Sequence, residues 1–131
     1  MSAYKKFDDI QFRDAGLLKK ALEELGFAVL EEGEALPLYG YQGDLRPERV
    51  QLVIRREHLT SASNDLGFVR TEKGYVPVIS EYDERVLLEG KFLPRLRTAY
   101  SLRVVEQVTQ RLRGTRTTTT DGSVIKIRVR Y

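Results

Sequence analysis

From Leu93 onward the apolar residues Leu93, Leu96, Tyr100, Val104, Val108 and Leu112 recur at steps of three and four. That is the spacing of one helix face, and it predicts a long amphipathic helix over about residues 90–113. Pro94 is tolerated in a first turn, and Gly114 is where the pattern expects the helix to stop. Beyond it, Thr115–Thr120 is a run of β-formers and Asp121-Gly122 is a two-residue hairpin signal. Ile125, Ile127, Val129 and Tyr131 then alternate with Lys126, Arg128 and Arg130, so a C-terminal β-hairpin is expected.

Nearer the start, Leu17, Leu18, Ala21, Leu22 and Leu25 form a second helical stripe. Asp14 is placed as its N-cap and Gly26 as the residue after its end, which predicts a helix over 14–25. Strands are expected at Tyr4–Phe12, Phe27–Leu30, Pro37–Tyr41 and Val50–Arg55, the last alternating Val50, Leu52 and Ile54 against Gln51, Val53 and Arg55. Leu66–Arg70 and Tyr75–Ile79 flank Thr71-Glu72-Lys73-Gly74 as a hairpin. Glu31–Glu34 reads as an acidic turn, Asp44–Glu48 and His58–Asn64 as loops, and Glu81–Glu84 as an acidic link. The pattern predicts a single α+β domain over 1–131. It would hold a mostly antiparallel sheet with two helices on one face and the terminal hairpin.

With 131 residues the chain can bury a core without staples. The absence of cysteine removes disulfides, thiolate metal sites and thiol catalysis. No apolar run approaches the ~18 residues of a membrane helix. The first residues carry no signal-peptide pattern, so a soluble protein of the cytoplasm (or a plastid stroma) is expected, with no membrane partner. The net charge of +3 hides a split: residues 1–90 hold 12 basic against 17 acidic residues, and residues 91–131 hold 10 against two. Either the halves pair internally or the basic part meets an anionic partner.

Arg116, Lys126, Arg128 and Arg130 on the expected hairpin, with Arg95 and Arg103 on the long helix, form the candidate surface for such a partner. The alternative is that the tail charges protect an edge strand and the helix arginines form a solvated face. Nothing in the sequence assembles a catalytic centre. His58 is the only histidine, so neither a histidine metal cluster nor a Ser-His-Asp triad can form. Glu81, Asp83 and Glu84 have oxygen ligands suited to a hard cation, but their spacing matches no binding loop and a charged connector is the simpler account. Gly40-Tyr41-Gln42-Gly43 is too short and polar for a phosphate-cradling loop. No catalytic residue, metal site or cofactor is expected.

Several short motifs, in order along the chain, resemble an uncharacterised family encoded in cyanobacterial and algal plastid genomes and in other bacteria, the hypothetical chloroplast reading frame thirty-five family. They are Ser2-Ala3-Tyr4 with Phe7, Leu18, Ala21, Leu22, Leu25 and Gly26, Gly40-Tyr41-Gln42-Gly43, Asp65-Leu66-Gly67-Phe68, Gly74-Tyr75, Tyr100 with Val104, and Ile127-Arg128-Val129-Arg130-Tyr131. The chain departs from that family at Ala3, where a histidine is common, and near Tyr131, where a tryptophan is. The resemblance brings no established activity, cofactor or catalytic residue. It implies an accessory or adaptor role beside an AAA-type ATPase. The reading that follows is a non-catalytic protein-interaction or adaptor module, with a protein partner or a second copy of itself. The alternatives are a nucleic-acid-binding module using the basic tail, and a small-molecule-binding protein.

Overall fold

The computed structural model describes residues 3–116. In chain order the elements are β1 (Tyr4–Lys6), α1 (Ala15–Glu24), β2 (Glu31–Tyr39), β3 (Leu45–Ile54), β4 (Leu66–Thr71), β5 (Gly74–Ser80), α2 (Glu81–Val86) and α3 (Phe92–Arg116). Short 3₁₀ turns lie at Arg56–His58 and Leu87–Gly90. The strands form one sheet in the order β1-β5-β4-β3-β2, and every neighbouring pair is antiparallel.

The first helix forms as its signals predict. The Asp14 carboxyl oxygen accepts the Leu17 N–H at 3.0 Å, and Gly26 follows the helix with φ of +96°, a conformation glycine adopts without steric cost. Leu17, Leu18, Ala21 and Leu22 pack inward against Phe92, Leu93, Leu96, Ala99 and Tyr100 of α3 and against Leu52, Ile54, Phe68 and Ile79 of the sheet. Both long helices therefore lie on one face. Phe12 sits at the centre of this core, edge-on to Phe68 (centroids 6.2 Å apart) and to Tyr100 (5.1 Å).

The opposite face of the sheet is covered by the chain's own β2–β3 hairpin. Gln51 marks the place where the strand turns over. Its Nε2 donates to the Glu34 carbonyl and its Oε1 accepts the Arg70 N–H, both at 2.7 Å, so a side chain fills a gap in the ladder. The pairing shifts register between Glu32 and Leu36, as a β-bulge does. Past this bulge Val50 faces the second cluster, with Leu38, Val53 and Val78, and no longer shares a face with Leu52 and Ile54. The hairpin end then reaches the far edge of the sheet, where the Arg46 guanidinium lies 5.3 Å from the Tyr4 ring centre. Gly67 permits that crossing. A Cβ there would lie 2.8 Å from Val50 Cγ1.

Three parts of the expected architecture are corrected. The described chain has three helices, not two: Glu81–Glu84 is the start of α2, capped by the Ser80 hydroxyl, which accepts the Asp83 N–H. Acidic residues in a first turn complement the positive end of the helix dipole. Second, the C-terminal region is a long helix and not a β-hairpin. The helix runs through Gly114 and Thr115 to Arg116, where the first arm of the hairpin was expected. One glycine costs a helix only about 1 kcal/mol, too little to end one by itself. Asp121-Gly122 and Ser123–Tyr131 lie outside the described residues. Third, β2 begins at Glu31 and not at Pro37, and β3 begins at Leu45, so the acidic turn and the Asp44–Glu48 loop are both strand.

Candidate interaction surface

The helix α3 outruns the core. At about 1.5 Å per residue its 25 residues span nearly 40 Å. Leu93, Leu96, Ala99 and Tyr100 are buried and Val104 packs partly on the core, but the apolar clusters of the described residues end there. Val108 and Leu112 follow at further steps of four, half-buried and in neither described cluster, each step turning the series about 40° round the helix. Leu102, on the other side of the helix from Tyr100 and Val104, is 63% exposed, the largest exposure among the bulky apolar side chains described.

Where the stripe leaves the core, a groove of about 400 Å³ opens between α3 and the segment joining β1 to α1. Ile10, Phe12, Leu17, Tyr100 and Val104 give it an apolar floor. The Tyr100 hydroxyl accepts the Asp14 N–H at 3.0 Å, which fixes the start of α1 against α3. Arg13 and Arg97 stand exposed on the rim and make no ion pair among the described residues. Asp9 and Asp14 also line it, Asp14 being committed to its helix cap.

The arginines singled out from sequence do not form one surface. Arg95 is exposed on the first turns of α3. Arg103 is half-buried and pairs with Glu24 of α1 and with Glu106 at 3.0 Å, so it serves to fasten α3 to α1. This is internal pairing between the acidic and basic parts of the chain. Arg116 is the last residue of α3, and Lys126, Arg128 and Arg130 lie outside the described residues. Of the acidic trio, Asp83 is fully buried while Glu81 is exposed, and no group of metal-binding side chains is assembled among the described residues. His58 sits exposed in its 3₁₀ turn.

Two polar clusters hold the hairpin to the sheet. In the first, Asp65 accepts hydrogen bonds from the Tyr39 and Arg56 N–H groups and from Arg55, each at 2.8 Å. Arg55 also donates to Glu31 and to the Pro37 carbonyl. In the second, buried one, Asp83 accepts from the Asn64 N–H at 2.9 Å and from the Ser80 hydroxyl at 2.7 Å. Tyr4 donates to the Asp65 carbonyl at 2.6 Å. Burial, reinforced by the Asp65 carboxylate, raises the Tyr4 phenol well above its usual range, so it remains a donor throughout the accessible pH range.

The hydrogen bond from Arg55 holds the Glu31 carboxyl below its ordinary value of 4.5. A carboxylate depressed in this way stabilises the fold fully above that ordinary value, and the contribution disappears as pH falls through the folded-state value. An NMR titration should place Glu31 below its ordinary value, and Arg55→Met should return it towards that value. An unchanged Glu31 in that variant would remove Arg55 as the cause.

These features define a small α+β fold with an interrupted antiparallel sheet and two long helices packed on one of its faces. The chain belongs to the family described as "Protein of unknown function (DUF1257)", whose family model matches residues 21–126. No curated protein and no solved structure matches the chain. No helix of the described residues is long and apolar enough to cross a membrane.

Proposed function

We propose that the chain is a non-catalytic protein-interaction module that presents the C-terminal half of α3 to a protein partner. The observation that supports this is the apolar series carried past the core: Val108 and Leu112 follow Val104 at steps of four, turning away from the face that Leu93, Leu96 and Tyr100 bury. An amphipathic helix draws its stability from packing that face, and bulky apolar side chains beyond a core mark binding surfaces. The edges of the sheet are poor alternatives. β1 is only three residues long, and β2 is bulged and carries Glu31, Glu32 and Glu34, devices that discourage strand addition.

The closer kinship with the hypothetical chloroplast reading frame thirty-five family belongs to the same reading, and with it the role of an accessory to an AAA-type ATPase assembly. A tagged full-length chain should retain one protein from its native lysate in the presence of nuclease, and Val108→Asp should abolish that retention while circular dichroism and thermal unfolding stay unchanged. Retention lost to nuclease would overturn the reading in favour of nucleic acid. Retention by a folded Val108→Asp variant would remove α3 from it.

A further inference from the structure

We propose that residues 36–50, the outer half of the β2–β3 hairpin, form a lid that opens as one unit about Gln51 and uncovers the sheet face beneath while the main core stays packed. This goes beyond the α3 reading and does not depend on it. Little of the sheet's ladder ties the lid down. β3 pairs with β4 over Leu52–Ile54, opposite Leu66–Phe68, and before Gln51 it pairs only with β2 among the described residues. At the change-over the Gln51 side chain stands in for the ladder, accepting the Arg70 N–H and donating to the Glu34 carbonyl, so the pivot is held while the strand beyond it is free to lift.

Packing under the lid is thin and its free end is charged. Along β3 the inward positions are Arg46, Glu48 and Val50, while Leu45, Pro47 and Arg49 are exposed. Only Leu38, Val50, Val53 and Val78 are buried together here, against eighteen residues in the main core. Toward the tip the apolar cluster gives way to Arg46 over the Tyr4 ring, and Glu48 Oε1 is shut from solvent with no hydrogen-bond partner among the described residues. A buried polar atom without a partner raises the cost of the closed state. The closed lid is latched at one rim, where the Tyr39 and Tyr41 N–H groups donate to the Asp65 and Asn64 side chains. Its seat is Gly67, in register with Val53 of β3 and Val78 of β5. A Cβ at Gly67 would lie 2.8 Å from Val50 Cγ1 and 3.2 Å from Leu38 Cδ2. Segments with few buried apolar contacts open at a fraction of the free energy of global unfolding.

The chain contains no cysteine, so single introduced thiols report access cleanly. Val53 and Ile54 are adjacent and both fully buried, the first under the lid and the second in the main core. In the full chain under native conditions Val53→Cys should react with a thiol reagent at least about tenfold faster than Ile54→Cys. Its rate should also respond less to added denaturant, because the opening exposes less surface than unfolding does. Val78→Cys should follow Val53→Cys. Adding Gly67→Ala wedges the seat, and should speed labelling at position 53 by about a further tenfold while leaving position 54 unchanged. Equal rates at positions 53 and 54, protection of Val78→Cys to the level of Ile54→Cys, or a wedge that accelerates both positions alike or neither, would overturn the inference.

Discussion

Phe12→Ala is expected to cost about 4 kcal/mol of stability, lowering the thermal midpoint by about 15 °C for a chain of this length. The residue is 2% exposed and lies outside any regular strand, yet three parts of the molecule meet on its ring. Its backbone bridges to Tyr75 of β5 through paired hydrogen bonds of 2.9 and 2.8 Å, which holds the β1–α1 segment on the sheet. The ring then wedges between Phe68 of the sheet and Tyr100 of α3. Removing it leaves a cavity between sheet and helix that neither rigid wall can close. Phe7, only partly buried beside the same core, provides the comparison: its truncation should cost well under half as much. Calorimetry of the two variants decides the matter, and similar midpoints would mean that Phe12 is not the keystone described.

Asp83→Ala should cost about 3 kcal/mol for a different reason. Asp83, Asn64 and Ser80 are buried together. The Asp83 carboxyl group accepts the Asn64 backbone N–H, the Asn64 amide and the Ser80 hydroxyl; its removal leaves the buried Asn64 N–H and Ser80 hydroxyl without that acceptor, while the Asn64 amide keeps Ser80 Oγ. Asp83→Asn retains an oxygen acceptor and should cost distinctly less. The network also ties the segment before β4 to the start of α2, and Asn64 passes the tie on by accepting the Tyr41 N–H at the hairpin end. Denaturant unfolding should rank wild type, Asp83→Asn and Asp83→Ala in that order. Equal stability of Asp83→Ala and wild type would contradict the role given to the network.

What the sequence made legible follows from how local each signal is. The helix α1 and the β4–β5 hairpin depend on residues a few positions apart: a cap at Asp14, a stop at Gly26, a tight turn ending at Gly74. They form where expected. The strand β2 was hidden because its outward positions are glutamates, a composition that reads as a turn. In the fold those residues pair across space with Arg55, Arg70 and Lys19, which no local pattern reveals. Similarly, the alternation through Val50, Leu52 and Ile54 assumed an unbroken pleat, whereas Gln51 interrupts it. Breakers were also over-read. Gly114 leaves α3 intact because a weak penalty is set against a long helix with Phe92 to Tyr100 already anchored.

The interaction surface was half visible. The stripe from Leu93 to Leu112 could be read directly, but not that the core would cover only its first part. The groove was not readable, because its walls come from Asp9–Leu17 and Arg97–Gln107, close to ninety positions apart in the chain. A hint existed in the exposed charges Arg13 and Arg97 bordering apolar residues. The arginine that stood out instead, Arg103, is used up in holding the two helices together.

The most direct measurement of the central claim is site-specific photocrosslinking in native lysate, with a photoreactive phenylalanine analogue at Val108 and, as a control in the exposed turn between β4 and β5, at Glu72. A single protein adduct that forms at position 108, survives nuclease and is absent at position 72 is the predicted result. Equal labelling at both positions, or no protein adduct at 108, would contradict the assignment of α3 as the partner-binding element.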